Sequence, residues 1–153
     1  MRHNKPVLKR TTSADPVFQS LVKLLDSELA ERDGDEHAFY AQYNKIDLIK
    51  HAVVYYIGHR AVACGAFKHY ADNTVEIKRM FVLPEWRGKG IAAAILKELE
   101  LWAGELNYKT CILETGKKQP EAIRLYEKSG YTIISNYGQY AGVENSVCMK
   151  KML

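Results

Sequence analysis

The stretch Val82-Leu83-Pro84-Glu85-Trp86-Arg87-Gly88-Lys89-Gly90-Ile91-Ala92-Ala93-Ala94-Ile95 decides the fold, because it joins an apolar strand to a helix through a glycine-rich turn. Without a Cβ, Gly88 and Gly90 let the backbone turn sharply and bring several N–H groups close to a ligand. The following helix adds unpaired N–H donors and a positive dipole end, and Arg87 and Lys89 add charge. The stretch predicts a phosphate or pyrophosphate site, against the alternative of a surface turn with two solvated cations.

An apolar stripe follows this turn and predicts a helix over about residues 89–106. Its members recur every three or four residues, which is typical of a helix with one buried face. They are Ile91, Ile95, Leu99, Trp102 and Leu106. A strand is predicted next, over Thr110 to Glu114. A strand, a helix and a second strand without a hairpin indicate a right-handed parallel crossover.

The remaining pattern predicts a mixed α/β fold in one domain over residues 1–153. Strands are predicted over 7–11, 49–57, 61–70, 74–83, 131–135 and 146–151, and further helices over 16–30, 36–44 and 119–129. Tight turns at Gly58-His59 and Asp72-Asn73 indicate an antiparallel meander of the three middle strands. Neither a linker nor an internal repeat interrupts the chain. We therefore expect a mixed central sheet of about seven strands flanked by about four helices.

Composition argues against several function classes. The chain is 47% hydrophobic and 26% charged, and its net charge of +4 is too weak and dispersed to indicate nucleic acid. The first residues lack the apolar core of a signal peptide, and no apolar run approaches the roughly 20 residues that span a bilayer. A cytoplasmic protein without a membrane partner is expected. Cys64, Cys111 and Cys148 lie in apolar runs and are predicted to be reduced core residues, and five scattered histidines indicate no metal site.

A dinucleotide-binding site is one alternative for the glycine turn. Gly88-x-Gly90-x-x-Ala93 fits that fingerprint, and Glu114 ends the next strand where a ribose-binding acid would lie. However, four residues separate the preceding strand from the glycines, and the chain after Glu114 is too short to add the further parallel strands of a doubly wound sheet. We therefore disfavour this alternative.

Two motifs resemble the GNAT superfamily of acyl-CoA-dependent N-acetyltransferases. Arg87-Gly88-Lys89-Gly90-Ile91-Ala92 resembles the family's Q/R-x-x-G-x-G/A pyrophosphate loop, and the preceding strand, residues 76–82, matches too. Residues 122–131, with sequence AIRLYEKSGY, are similar to the late L-Y-x-x-x-G-F/Y signature. The order of elements also matches, so the resemblance covers nearly the whole chain. Leu113-Glu114-Thr115-Gly116 followed by Gln119-Pro120-Glu121-Ala122 resembles a bacterial subgroup, and replaces the Asn that many relatives carry near the start of the last helix.

The resemblance implies a reaction and a cofactor. The expected reaction moves an acetyl group from acetyl-CoA (coenzyme A) to a primary amine by direct attack. Backbone N–H groups of residues 88–92, helped by Arg87 and Lys89, are expected to hold the pyrophosphate. The resemblance also implies a bulged strand, which would leave backbone groups near Phe81 and Val82 for the pantetheine arm and the thioester oxygen.

Glu76 and Tyr126 are the predicted base and acid. An alkylamine has a pKa near 10 and arrives charged, so a base must remove its proton. Glu76 lies six residues before Val82, and because strand side chains alternate, the two are expected on one face. Glu114 is the second candidate base. Tyr126 is protonated at pH 7 and can donate to the departing thiolate. The alternatives are a salt-bridged strand acid for Glu76 and plain core packing for Tyr126.

The acceptor pocket is expected, by the resemblance, between the first two helices and the last strand connection. The candidate substrate residues are Asp33, Glu114, Tyr137 and Tyr140, with Asn136 and Gln139 in the same last connection. Residues 26–36, here called the acidic segment, contain six acids relieved by a single arginine. Such a segment can simply be a helix face exposed to solvent. Alternatively, it attracts a cationic acceptor, either a small-molecule amine or a peptide amine. A non-catalytic acyl-CoA sensor is the alternative to an enzyme, and the resemblance also suggests a homodimer.

Overall fold

The computed structural model describes residues 5–34 and 49–153, which form a seven-stranded sheet and three α-helices. The strands are β1 (Pro6–Thr11), β2 (His51–Ile57), β3 (Arg60–Ala71), β4 (Thr74–Val82), β5 (Thr110–Gly116), β6 (Thr132–Ile134) and β7 (Ser146–Met152). The helices are α1 (Pro16–Asp33), α2 (Ile91–Glu105) and α3 (Pro120–Lys128), with short 3₁₀ turns at Pro84–Trp86 and Gly138–Tyr140. The predicted helix over 36–44 lies outside the described residues.

The strand order is β1-β2-β3-β4-β5-β7-β6. Antiparallel β2, β3 and β4 form the predicted meander, and the turns between them use positive φ angles at Gly58 and Asn73. The connection from β4 through α2 to β5 is the predicted parallel crossover. Every other neighbouring pair among the described strands is antiparallel. This sheet excludes the doubly wound architecture of the dinucleotide-binding alternative.

Local signals set the helix ends. α1 starts where predicted, because the Asp15 carboxylate accepts a hydrogen bond of 2.8 Å from the Val17 amide and Pro16 is the first helical residue. α3 ends shortly before Gly130, whose φ of 99° suits glycine. In the stripe on α2, Ile91, Ile95 and Leu99 are buried and Trp102 is partly buried, whereas Leu106 lies past the helix end and is 43% exposed. None of the helices in the described ranges is long and apolar enough to cross a membrane.

The helices pack on opposite faces of the sheet and bury two apolar clusters. On one face, Phe18 and Leu21 of α1 pack with Phe81 of β4. On the other face, Ile95 and Leu99 of α2 pack with residues of β2, β3 and β4. Burial of this apolar surface is the main stabilising contribution to the fold. The three cysteines are buried free thiols, as predicted.

A β-bulge interrupts β4 at Arg79, which has a φ of 62°. Lys78 and Phe81 pair with β3 residues that are only two apart, so Arg79 and Met80 together lie opposite Gly65. A Cβ on Gly65 would lie 2.6 Å from the Met80 sulfur and 2.7 Å from a methyl of α2. Glycine opposite the bulge therefore allows β3, the bulge and α2 to pack closely.

The bulge reverses the alternation of side chains along β4. Val82 packs with Ile77 on the α2 face, whereas Phe81 packs on the α1 face. Because Glu76 alternates with Ile77, it lies on the α1 face with Phe81. The expectation that Glu76 and Val82 share a face is therefore wrong, since the extra residue shifts the alternation by one position.

β4 and β5 separate soon after they pair. Their ladder joins Thr74–Glu76 to Thr110–Ile112 and stops there, while β5 remains paired with β7 along its whole length. Beyond Glu76 the two parallel strands leave an opening in the sheet. The bulge and the glycine turn both lie on the β4 side of this opening, so the fold brings the sequence motifs to one place.

Candidate active site

Two adjacent spaces occupy the opening between β4 and β5. The outer groove has a volume of about 440 Å³ and is lined by β4, the glycine turn, the start of α2 and one side of α3. The inner cavity has a volume of about 120 Å³ and lies among β4, β5, α1 and α3. The two share walls formed by Leu25, Met80, Gln119, Ala122 and Tyr126. The groove and the cavity are therefore adjacent, and Tyr126 lies between them.

The outer groove collects most of the residues that the sequence predicts for the cofactor. Its walls include Phe81, Val82, Arg87, Gly88, Gly90, Ile91 and Ala92. Lys89 is the exception: it is exposed, and it does not line the groove.

The glycine turn forms an anion cradle at one end of this groove. Gly88 and Gly90 have φ angles of 77° and 80°, and the space where a Cβ would stand on each is open to 4 Å. Among the described residues no side chain caps the start of α2, whose N-cap is Gly90. The first amides of a helix have no intrahelical acceptor, so this open end presents N–H donors and a positive dipole. The cradle fits a pyrophosphate.

Arg87 anchors the turn as well as lining the groove. Its Nε donates a hydrogen bond of 2.8 Å to the Val82 carbonyl, and Nη2 donates one of 2.7 Å to a carboxylate oxygen of Glu28. Its guanidinium also lies 5.6 Å from the centre of the Phe81 ring. These contacts fix the turn to β4 and α1. A direct contact between Arg87 and a phosphate stays a prediction.

The inner cavity brings together Glu76, Glu114, Tyr126 and Tyr140, four of the residues predicted for chemistry or substrate binding. Glu76 is only 6% exposed. Tyr137 lies outside the lining but donates a hydrogen bond of 2.6 Å to Glu76 Oε2, and Lys78 Nζ lies 3.9 Å from Oε1. Burial, and then the charge of Glu76, raises the pKa of Tyr137, which therefore stays a donor to the carboxylate.

Tyr126 stands where the groove meets the cavity. It is 6% exposed, and its ring packs edge-on against Tyr131 with centroids 5.8 Å apart. Burial raises the pKa of Tyr126, and the nearby charge of Glu114 adds to the effect. The phenol is thus protonated at neutral pH. Tyr126 therefore packs in the core and also lines the candidate site, so the two interpretations from the sequence do not exclude each other.

Lys78, Arg79 and Gln119 are among the lining residues of the cavity that sequence reasoning had not selected. Arg79 forms an ion pair of 3.5 Å with Asp26 of α1, and its side chain is 1% exposed. Burial lowers the pKa of Lys78. The sequence feature that could have indicated Lys78 and Arg79 is that two adjacent cations interrupt the apolar residues of β4. Gln119 stands near the place where the family resemblance leads one to expect an asparagine.

Some predicted features cannot be located in this site. The side chain of Asp33, together with Asp35 and Glu36 of the acidic segment, lies outside the described residues. Asn136 belongs to the structure of the last connection, since its side-chain amide donates to the carbonyls of Val143 and Ser146. Within the described part of the chain, no three His, Cys, Asp or Glu side chains are grouped to hold a metal ion.

Solved structures of acyltransferases share this architecture. One from Klebsiella pneumoniae subsp. pneumoniae MGH 78578, described as an acyl-CoA N-acyltransferase, has a TM-score of 0.81 at 27% identity and covers 98% of this chain and 99% of that chain. The PaiA N-acetyltransferase of Thermoplasma acidophilum, in complex with coenzyme A, has a TM-score of 0.72 at 15% identity, with 97% and 99% covered. The fold is therefore that of the N-acyltransferases.

Sequence comparison identifies the family. Residues 18–131 match the model of the acetyltransferase (GNAT) family, and the chain belongs to this family. It is also similar to the IAA acetyltransferase of Azospirillum brasilense, with 36% identity over 93 residues, which are 60% of this chain and 61% of that protein. The chain thus spans less than two thirds of the length of this curated relative.

Proposed function

We propose that this protein transfers an acetyl group from acetyl-CoA to a primary amine by direct attack of the amine on the thioester. One observation carries the proposal: the groove that contains the anion cradle shares a wall with a cavity lined by a buried carboxylate and a buried phenol. The coenzyme A complex of the Thermoplasma structure supports the choice of cofactor. We further propose that the chain falls in the bacterial subgroup marked by residues 113–116 and 119–122, several of which line the inner cavity.

Main-chain groups hold the cofactor in this proposal. Amides of residues 88–92 bind the pyrophosphate at the start of α2, with Arg87 and Lys89 adding positive charge. Backbone groups near Phe81 and Val82, beyond the bulge, pair with the pantetheine arm and the thioester oxygen. Acetyl-CoA, when bound, supplies the acetyl thioester that the amine attacks.

Side chains of the inner cavity move the protons. Glu76 accepts the proton of the incoming ammonium, directly or through water, and Glu114 is the second candidate for this role. The hydrogen bond from Tyr137 and the nearby Lys78 hold the Glu76 carboxylate in position. Tyr126 donates its hydroxyl proton to the departing thiolate where the groove meets the cavity.

The proposed partners follow the sequence predictions. The acceptor is a small-molecule or peptide amine, drawn by the acidic segment and bounded by Tyr140, with neither nucleic acid nor a membrane as a partner. A cytoplasmic location and a homodimer remain predictions. A sensor that only binds acyl-CoA is less favoured, because binding alone would not require Glu76 and Tyr126 to be buried at the inner end of the groove.

A thiol-release assay tests the proposal. The protein is incubated with acetyl-CoA and a panel of primary amines, and free coenzyme A is measured with a thiol reagent. We expect amine-dependent release with some members of the panel, and acetylated amine detected by mass spectrometry in equal amount. Calorimetric binding of coenzyme A without amine-dependent release from any member would contradict the enzyme and favour the sensor.

A further inference from the structure

A polar cluster lies under α2, away from the walls of the outer groove and the inner cavity. The carboxylate of Glu100 accepts a hydrogen bond of 2.8 Å from the Tyr131 hydroxyl and one of 2.9 Å from the Lys151 ammonium group. The Glu100 side chain is 12% exposed, whereas those of Glu98 and Glu105 on the same helix are 24% and 48% exposed. Burying a carboxylate costs free energy unless donors compensate it, so the two donors make this position possible.

Tyr131 extends from this cluster to Tyr126, the proposed acid. Its ring packs against that of Tyr126 with centroids 5.8 Å apart and an angle of 65° between the planes. Its backbone amide also donates a hydrogen bond of 3.0 Å to the Tyr126 carbonyl. The Tyr131 ring is thus held at its hydroxyl and at its backbone, and it forms one of the surfaces that determine where the Tyr126 ring lies.

Apolar packing alone does not explain the Tyr131 hydroxyl. Tyr131 is 2% exposed and belongs to the apolar cluster on the α2 face, where phenylalanine would fill nearly the same volume without burying a polar group. A hydrogen bond has a preferred distance and direction, which contacts between apolar atoms lack. The bond to Glu100 therefore restricts the position of the Tyr131 ring more than burial in the core requires.

Helix α2 connects this cluster to the anion cradle. Gly90 caps the start of the helix, and Glu100 lies about 15 Å further along the helix axis. A helix is a stiff element, so the cradle and Glu100 keep a fixed relative position. Glu100 thereby ties Tyr131, and through it Tyr126, to the element that binds the cofactor in the proposed function.

We propose that Tyr131 is a positioning residue for Tyr126, and that Glu100 fixes Tyr131 through its hydroxyl. Neither Tyr131 nor Glu100 lines the groove or the cavity, so both act through Tyr126 and not on substrate or cofactor. The inference rests on the proposed function, in which the Tyr126 hydroxyl must reach the departing thiolate. Misplacing a reacting group by about 1 Å can lower a rate by about 100-fold, so a ring that limits movement of Tyr126 affects kcat.

The variant Tyr131→Phe tests the hydroxyl, because it keeps the ring and removes the bond to Glu100. We expect kcat per folded molecule to fall about fivefold to tenfold, while KM for acetyl-CoA and for the amine changes by less than about twofold. Glu98→Gln is the matched control, since it removes an ion pair of 2.7 Å between the same helix and Arg10. Its kcat should stay within about twofold of the parent value. An unchanged kcat in Tyr131→Phe would overturn the proposal.

A double-mutant cycle tests whether Tyr131 acts through Tyr126. In the Tyr126→Phe background the hydroxyl to be positioned is absent, so adding Tyr131→Phe should lower the residual kcat by less than about twofold. A purely structural contribution would lower kcat by the same factor in both backgrounds. That result would overturn the positioning role.

Two substitutions of Glu100 separate the hydrogen bond from a general loss of stability. Both Glu100→Gln and Glu100→Leu remove the charge that pairs with Lys151, but only Gln keeps an oxygen that can accept from Tyr131. We expect Glu100→Gln to retain a kcat at least about threefold higher than that of Glu100→Leu, since an unpaired hydroxyl loses its fixed position. Equal values of kcat in the two variants would overturn the role assigned to Glu100.

Crystal structures keep this inference distinct from the proposed function. The parent protein and Tyr131→Phe are compared, each with coenzyme A. We expect the Tyr126 hydroxyl to be displaced, or to occupy more than one position, in the variant, while the glycine turn stays unchanged. Such a displacement supports the positioning role even if the parent protein releases no thiol and the acetyltransferase is wrong. A Tyr126 side chain in the same single position in both structures would overturn the role whether or not the protein is an enzyme.

Discussion

Tyr126, the proposed acid, belongs to the walls of both the outer groove and the inner cavity. Its raised pKa keeps the proton available at neutral pH. Tyr126→Phe retains the ring and its packing against Tyr131 and removes the proton. We expect kcat to fall by about 100-fold or more, since general acid catalysis typically contributes at least this much. Thiol release gives kcat, and calorimetry should find unchanged coenzyme A affinity. Unaltered kcat would remove Tyr126 from the mechanism.

Glu76 and Glu114 compete for the role of base, and the same assay ranks them. Glu76 is held by the Tyr137 hydroxyl and is the more buried of the two. Glu76→Gln keeps the size of the side chain and removes its basicity, so kcat/KM should fall by about 100-fold or more at pH 7. Glu114→Gln is the matched control, and it should lower kcat/KM by a smaller factor. A larger loss in the control would assign the base to Glu114.

Some residues of this site could be predicted from the sequence and others could not. Glu76 and Tyr126 were selected by residue type and motif, and both line the inner cavity. Lys78 and Arg79 were missed, because strand alternation puts adjacent residues on opposite faces. A positive φ at a non-glycine residue costs about 1–2 kcal/mol locally. Contacts distant in sequence, such as the pairing across from Gly65, compensate this cost, and such contacts cannot be read from local pattern.

At the scale of elements, packing between β3, the bulge and α2 depends on Gly65. A methyl group there would lie 2.6 Å from the Met80 sulfur and 2.7 Å from a methyl of Ile95, so Gly65→Ala must shift these side chains or the elements that carry them. We expect the free energy of unfolding to fall by about 1–3 kcal/mol, the usual cost of overpacking a core.

Gly104→Ala is the matched control for this prediction. Gly104 lies in α2, and nothing stands within 4 Å of the position its Cβ would take. Alanine there should stabilise the protein by about 0.5–1 kcal/mol, because it favours the helix. Urea unfolding measures both variants. Equal effects of the two substitutions would mean that the bulge does not depend on close packing at Gly65.

Elements were predictable where one residue type determines a boundary. Pro16 and Asp15 start α1, and Pro120 and Gly130 delimit α3, because proline and glycine restrict or permit specific backbone angles. The separation of β4 from β5 was not predictable. The ladder between them stops after Glu76 and Ile112, and strand pairing of this kind depends on tertiary packing more than on local sequence.

At the scale of the whole molecule, the buried thiols predict loss of stability in alkali. Burial raises the pKa of Cys64 to about 12 and that of Cys111 to about 11. Both therefore stay protonated in the folded state while the unfolded chain ionises above about pH 9. Their stabilising contribution is complete below pH 9 and is lost as pH rises toward the folded-state values.

The variant Cys64→Ala tests whether ionisation of this thiol lowers the free energy of unfolding as pH rises. Between pH 8 and pH 10 its free energy of unfolding should fall by about 1 kcal/mol less than that of the parent protein, because one ionising thiol has been removed. Urea unfolding at the two pH values measures the difference. An identical pH dependence in both proteins would show that Cys64 is not protected from ionisation by the fold.

The central claim is that main-chain amides of the glycine turn bind the pyrophosphate of coenzyme A. A crystal structure of the protein with coenzyme A tests it most directly. We predict pyrophosphate oxygens about 3 Å from backbone nitrogens of residues 88–92, and the pantetheine arm running along the outer groove toward Tyr126. Coenzyme A bound elsewhere, with the amides of this turn making no contact to phosphate, would contradict the account.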